Sequence, residues 1–460
     1  MPTLRSFAKR HQRETQTIAK IKMRSALNFD ALAGIIKKDI QRVPDHRAKN
    51  ASISLVDALM SAFAMFSLKD PSLLAFDQRR EKGPESLHGM FGVGTIPSDT
   101  QMRTVLDEVS PVFLRRPFRS ICHQLQRGKV LKRMTCCGDH LLLAIDGTGV
   151  YSSENIGADY CLTKEKRNGV LEYHLQMVTG AFVSPERKEV LPLCPEPIRR
   201  QDGLSKNDCE RNATRRLLAD FRREHPHLKV IVTEDGLSAN APHIRDLQGH
   251  DLRFILSAKP NDHRFLFDLV DEADERGELT NLALPNSEQA GREHCFRFIN
   301  SVPLNKVSQD ELLVNFLEYW EVDTTGGEIS TRKRFSWVTD IEITPDNVME
   351  LMRCGRARWR IENETFNTLK NQGYNLGHNY GLGKKHLSAV FMHLMMLAFL
   401  VDQVQQLCCP LFQAAWKKAG SKRDLWEHLR ACVRLCIVPS MEVILRMIAE
   451  NLKIQLPGYG

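Results

Sequence analysis

The chain has no CxxC motif. Its twelve cysteines are scattered singles apart from two adjacent pairs, Cys136-Cys137 and Cys408-Cys409, a pattern that gives no disulfide framework. Thiols kept as small apolar fillers in a reducing compartment are expected. Long apolar runs are also missing. The longest, residues 389–401, contains His393; it is too short to cross a bilayer and reads as a buried helix. No N-terminal stretch has the basic-then-apolar order of a signal peptide, and no internal repeat or low-complexity segment stands out. His174 and Cys161 have no second pair at ligand spacing, so they make a poor zinc site.

Acid is scarce in two places. Residues 1–50 carry twelve Lys/Arg against Glu14, Asp30, Asp39 and Asp45, a net of +8 that equals the net charge of all 460 residues. Residues 113–134 hold seven Lys/Arg and no acid at all. Such concentration is the electrostatic footprint of a protein that neutralises phosphates, although two solvated helix faces have the same composition.

Residues 1–135 are predicted to be helical. Residues 54–68 are apolar at helical spacing, and Ser98 with Gln101 makes a capping box ahead of a further helix. From residue 140 the pattern changes to strands, at 140–150, 172–183 and 188–198, followed by a helix over 207–226 that Pro226 ends. A strand at 229–237, a helix and a strand at 252–258 complete a β-β-β-α-β-α-β order with a parallel crossover. The two most apolar strands lead into Asp146 and Asp235, each followed by glycine. A buried strand disfavours an ionised side chain unless it is paired or holds a metal; the alternative for each is an Asp-Gly turn. Residues 262–345 read as a mostly β insertion rich in aromatics, and helix resumes at Thr344-Pro345.

That last helix is the most informative segment. At about 100° per residue, Arg358 and Glu362 stand roughly 40° apart and Lys370 roughly 80° beyond, so all three share about a third of the circumference. A carboxylate between two cations suits a site that handles metal and phosphate together, and it equally suits an i,i+4 ion pair. Trp359, Phe366 and Leu369 are expected to form the helix's core face rather than base-stacking platforms. Glu154, Asp208 and Glu210 are candidates to support the site, with no spacing that establishes it.

Together the strand ending in Ile-Asp-Gly, the strand ending in Thr-Glu-Asp-Gly, the β insertion and the helix bearing Arg-Trp-Arg-Ile-Glu resemble the insertion-sequence DDE transposases of bacteria, in the group with a Tyr-Arg-Glu-Lys signature. The likeness covers residues 140–400. It implies an α/β fold: an RNase H-like catalytic core (136–261 and 346–400) interrupted by the β insertion (262–345), with an N-terminal helical, basic, DNA-binding domain (1–135) and a C-terminal helical region (401–460).

By position, the resemblance makes Asp146, Asp235 and Glu362 the catalytic residues and the ligands of two Mg²⁺ or Mn²⁺ ions. Arg358 matches the signature arginine. Two departures stand out. Gly355 occupies the tyrosine position, which leaves that role to another group such as Tyr374, and Lys370 follows Glu362 after seven intervening residues instead of six, which makes Glu364 a competitor for the catalytic glutamate. Arg358, Lys370, Asn367 and Tyr374 are the expected DNA and phosphate contacts, with Asn363 and Asn371 as further neutral donors.

The implied activity is metal-dependent hydrolysis that frees a 3′-OH at the element end and joins it to target DNA. The implied partner is double-stranded DNA, bound by a homodimer or larger assembly in the cytoplasm, at the nucleoid. The alternatives are an inactive DNA-binding relative and a structure-specific nuclease of the same fold.

Overall fold

The computed structural model describes residues 25–48, 50–200, 209–287, 289–306, 312–323 and 330–451. Eight of the twelve cations expected to form the N-terminal basic face, seven in residues 1–24 and Lys49, lie outside the described residues, as does Asp208 in 201–208.

Helices lead the chain: α1 (Phe29–Ile40), α2 (Leu55–Ser67), α3 (Leu73–Lys82), α4 (Glu85–Phe91), α5 (Asp99–Asp107) and α6 (Arg115–Arg127). Their starts follow from local chemistry. Ser54 Oγ accepts the Asp57 N–H to begin α2, and Ser98 with Gln101 forms the predicted capping box of α5, each satisfying amide donors that a helix end leaves orphaned.

Among the described residues twelve strands then build one sheet, β1 (Thr135–Cys136), β2 (His140–Ser153), β3 (Leu162–Glu165), β4 (Leu171–Ser184), β5 (Arg187–Pro192), β6 (Glu196–Ile198), β7 (Val230–Glu234), β8 (Arg253–Ser257), β9 (Thr280–Pro285), β10 (Arg292–Pro303), β11 (Leu313–Asp323) and β12 (Ser330–Thr339). The order across it is β3-β4-β2-β7-β8-β12-β11-β10-β9, with β5 and β6 on β4. Helices α7 (Glu210–Glu224) and α8 (Ala241–Gly249) join the strands that run parallel, β2 with β7 and β7 with β8. The predicted β-β-β-α-β-α-β order is present, with β1 and β3 added and the third strand split into β5 and β6. Leu141 to Ile145 of β2 and all of β7 are buried, as expected of central strands covered on both faces.

The β insertion differs from expectation in two respects. It opens with helix α9 (Arg264–Glu275) before its four strands, and those strands do not stand apart. β12 pairs antiparallel with β8 at Trp337↔Ser257 to Thr339↔Ile255, so the insertion prolongs the core sheet.

Helix α10 (Val348–Ala357) passes through a π-helical stretch, Ile361–Phe366, into α11 (Asn367–Asn371). The chain ends in α12 (Leu387–Cys408), α13 (Pro410–Ala419), α14 (Lys422–Leu435) and α15 (Met441–Glu450). Every residue of α12 is buried; although long and apolar enough to cross a membrane, it is enclosed by protein on all sides as a core helix is. The two helical ends also meet, since Asp30 of α1 accepts the Met441 and Glu442 N–H groups that start α15. The segments predicted as separate domains share one contiguous apolar core.

Candidate active site

Parallel pairing between β2 and β7 runs from Leu141↔Val230 to Ala144↔Thr233. Two residues further along each chain stand Asp146 and Asp235, level with each other at the end of the paired stretch. The strand-end description holds for Asp235 alone. β2 continues past Asp146 to Ser153 against β4, so no Asp-Gly turn forms there. At Asp235 the turn alternative is partly realised: its Oδ1 accepts the Leu237 N–H at 3.0 Å and caps a short 3₁₀ turn.

Glu362 reaches the same place from the π-helical stretch. The Arg358 guanidinium binds both carboxylates, Glu362 Oε1 at 2.8 Å and Asp146 Oδ2 at 3.4 Å. The i,i+4 ion pair is therefore real, and it extends to the sheet. Arg358 is 6% exposed, its guanidinium 4.6 Å from the Trp359 ring centre. Trp359 itself is 48% exposed, contrary to its expected place in the core face, whereas Phe366 and Leu369 are buried as predicted.

A fourth carboxylate, Glu210 at the start of α7, lies over Gly147. A Cβ on that glycine would stand 2.7 Å from the Glu210 carboxyl carbon, so a larger residue there would push Glu210 aside. Burial, with Asp235 and Glu234 nearby, raises the Glu210 pKa. Burial also pushes Asp146 up to about 7; Arg358 and the Gly147 N–H oppose the shift, and Glu362 and Glu210 add to it. Acids that resist ionisation without a cation are what a cation site looks like electrostatically. Among the described residues no three carboxylates bring oxygens within 4.8 Å of one another; the site is open, with Arg358 bridging Asp146 and Glu362.

The other sequence candidates are less uniform. Lys370 and Asn367 are exposed on the continuation of the helix, where Asn367 Oδ1 accepts from Asn371 Nδ2 at 2.6 Å. The π-helical stretch absorbs about one extra residue per turn. That returns Lys370 toward the phase of Glu362 and accommodates the seven-residue spacing. Glu364 faces away from Asp146, into a cleft of about 1080 Å³ on the other side of the helix.

Tyr374 is not available to DNA in this arrangement. It is 2% exposed, its hydroxyl bound to Asp402 and its ring 5.5 Å from Phe399. At the tyrosine position the Trp337 indole lies across Gly355, 2.5 Å from where a Cβ would be, so an aromatic ring reaches this spot from β12. Glu154 is drawn off to Lys166 and does not join the site.

Residues 113–134 are less open than their composition suggests. Arg115 is buried against Glu224 at 2.7 Å and Asp220 at 3.0 Å, and Arg116 pairs with Asp39 at 3.2 Å. Open cations gather instead around the Glu364 cleft, where Lys82, Lys188 and Arg434 have no ion-pair partner among the described residues; Trp416 and the buried Trp426 also line it, their rings covered by Lys422 and Lys69.

No family model and no curated protein matches the chain.

Proposed function

We propose that this protein is a metal-dependent DNA-cutting and joining enzyme, a transposase of the DDE type with an RNase H-like core. The observation that carries the reading is the placement of three sequence-distant acids: Asp146 and Asp235 level on adjacent parallel strands, and Glu362 tied to Asp146 through Arg358. The element order and the parallel crossover by α7 support it as well.

The donor set fits hard divalent ions, since it is all carboxylate oxygen and Asp146 resists ionisation on its own. Asp146, Asp235 and Glu362 would hold Mg²⁺ or Mn²⁺, with Glu210 beside them; such ions supply activation of an attacking oxygen and stabilisation of the leaving one. The protein's own groups do the remaining work. Arg358, which would be freed from its two carboxylates if they held cations, is placed to clamp a phosphate. Lys370 and Asn367 extend that contact along the helix. Trp359 offers an exposed face for an unpaired base at a cut end. The cleft beyond Glu364 offers cations for flanking duplex.

The reading is tested by incubating the purified chain with DNA carrying the ends of its element, in Mg²⁺ and in EDTA. Cleavage that leaves a 3′-OH, depends on the ion and is lost in Asp146→Asn supports it. Ion-independent cleavage, or full activity in Asp146→Asn, overturns it.

A further inference from the structure

Outside the carboxylate site, a second group of potential metal ligands comes together. Cys136, Cys137 and Cys354 bring their three sulfur atoms within 4.8 Å of one another. Cys137 Sγ lies 3.7 Å from Cys354 Sγ. Two thiolates on one tetrahedral zinc, each bonded at about 2.3 Å, stand about 3.8 Å apart.

The backbone explains how neighbours in sequence can face one ion. Successive side chains in a strand point to opposite faces, but Cys137 adopts the left-handed conformation with φ of +45°, followed by Gly138 at +85°. This reversal between β1 and β2 turns the Cys137 sulfur toward the others. A branched or bulky residue rarely adopts such a φ, and even an unbranched one does so at a cost. The turn is fastened to α10 as well: Glu350 Oε1 accepts the Cys137 N–H at 2.5 Å, and Cys354 lies one helical turn beyond Glu350. Cys136 and Cys354 are buried while Cys137 is half-exposed, so the pocket is apolar on its inner side and open to ion entry on its outer side.

We propose that Cys136, Cys137 and Cys354 form a zinc site, with His140 as the fourth ligand. His140 lies three residues beyond Cys137, and its Nδ1 is 3.1 Å from the Cys137 carbonyl oxygen. With the proton on Nδ1, Nε2 keeps the lone pair that zinc takes; as placed, the imidazole stands outside the close group of three sulfurs, and binding requires it to rotate toward them. The three thiols release their protons to solvent as the ion enters. The bound ion cross-links the start of β2, which carries Asp146, to α10, whose continuation carries Arg358 one turn past Cys354. It is a tether for the two walls of the acidic site and takes no part in chemistry there.

The test uses the full chain, purified under reducing conditions and stripped of metal. Titration with Co²⁺ is expected to saturate at one ion per chain with thiolate-to-cobalt charge-transfer absorption, which carboxylate ligands do not produce. Zn²⁺ is expected to displace it and to protect three thiols from modification. Cys137→Ser, at the half-exposed position, is expected to keep the fold by circular dichroism and to lose the absorption, as is Cys354→Ser if it folds. His140→Ala is expected to weaken binding at least tenfold. Absence of the thiolate band in the wild type, its persistence in Cys137→Ser, or a Cys137–Cys354 disulfide in place of metal would overturn the proposal. DNA cleavage is not the readout, so failure here leaves the proposed activity standing.

Discussion

The helix that runs from residue 348 to 371 divides two polar regions of opposite character. On the Glu362 side one buried guanidinium pairs with Asp146 and Glu362, with Glu210 close to Asp146 and to Asp235; on the Glu364 side, two residues away in sequence, exposed cations line an open cleft. In the first region burial, with Glu362 and Glu210 adding to it, pushes Asp146 toward neutrality. In the second, several cations keep no ion-pair partner among the described residues. A folded chain sustains unbalanced charge of either sign only at an energetic cost, and the two regions are complementary to ligands of opposite charge.

The sharpest way to break this contrast is to neutralise each glutamate. Glu362→Gln keeps size and hydrogen-bonding capacity but removes the charge, and cleavage of element-end DNA in Mg²⁺ is expected to fall by more than about 100-fold, beyond the loss typical of residues that merely support a metal ligand. DNA binding should survive. Glu364→Gln is expected to cleave normally. Nicking and gel-shift assays run side by side decide it: if Glu364→Gln is the inactive protein, the two faces have been interchanged, and if both cut normally the transposase reading fails.

The acidic side also has a pH signature. The Asp146 pKa in the fold, about 7, is above the ordinary aspartate value of about 3.9, so the fold favours the protonated acid. In the metal-free protein this group therefore contributes a penalty that is absent below pH ~4 and complete above pH ~7. Protons compete with the cation over the same window. The Mg²⁺ concentration for half-maximal cleavage is expected to fall about tenfold per unit as pH rises to 7 and to level off above it. A half-saturation that is flat between pH 5.5 and 7 would show that Asp146 is already ionised and that its burial does not hold the proton.

Much of this was legible in the sequence, and the part that was not has a common cause. Periodicity marked the buried strands β2 and β7 and the capping box at Ser98, because both are local properties. The same local signals brought Asp146, Asp235 and Glu362 forward. Long-range neutralisation leaves no local trace. The acid-free stretch 113–134 looks like a free basic surface only because Glu224, Asp220 and Asp39 are distant in sequence. Cys354 is 217 residues from Cys137, so no spacing rule could join them. Tyr374 carries the hydroxyl that a DNA contact needs, yet Asp402 draws it inward. Glu210 could be suspected but not placed until Gly147 was seen beneath it. The phase of Lys370 needed the π-helical stretch, which no pattern of apolar residues announces.

The difference between neutralised and open cations gives the last and smallest effect. Arg115 sits between Glu224 and Asp220, each largely buried, and Arg115→Ala strands two carboxylates; the expected cost is about 3 kcal/mol of stability, toward the lower end for broken buried pairs because Asp220 is partly solvated. It should leave the affinity for DNA and its salt dependence unchanged. Lys188→Gln with Arg434→Gln should do the reverse. Both side chains are exposed at the cleft, so the melting temperature should barely move, while each phosphate that is no longer neutralised lowers the slope of log K against log salt by about 0.9. A double variant with an unaltered slope would mean that DNA does not run through the cleft. A shallower slope in Arg115→Ala would mean that the paired arginine opens to phosphate when DNA arrives, and the distinction between the two kinds of basic surface would then describe only the DNA-free protein.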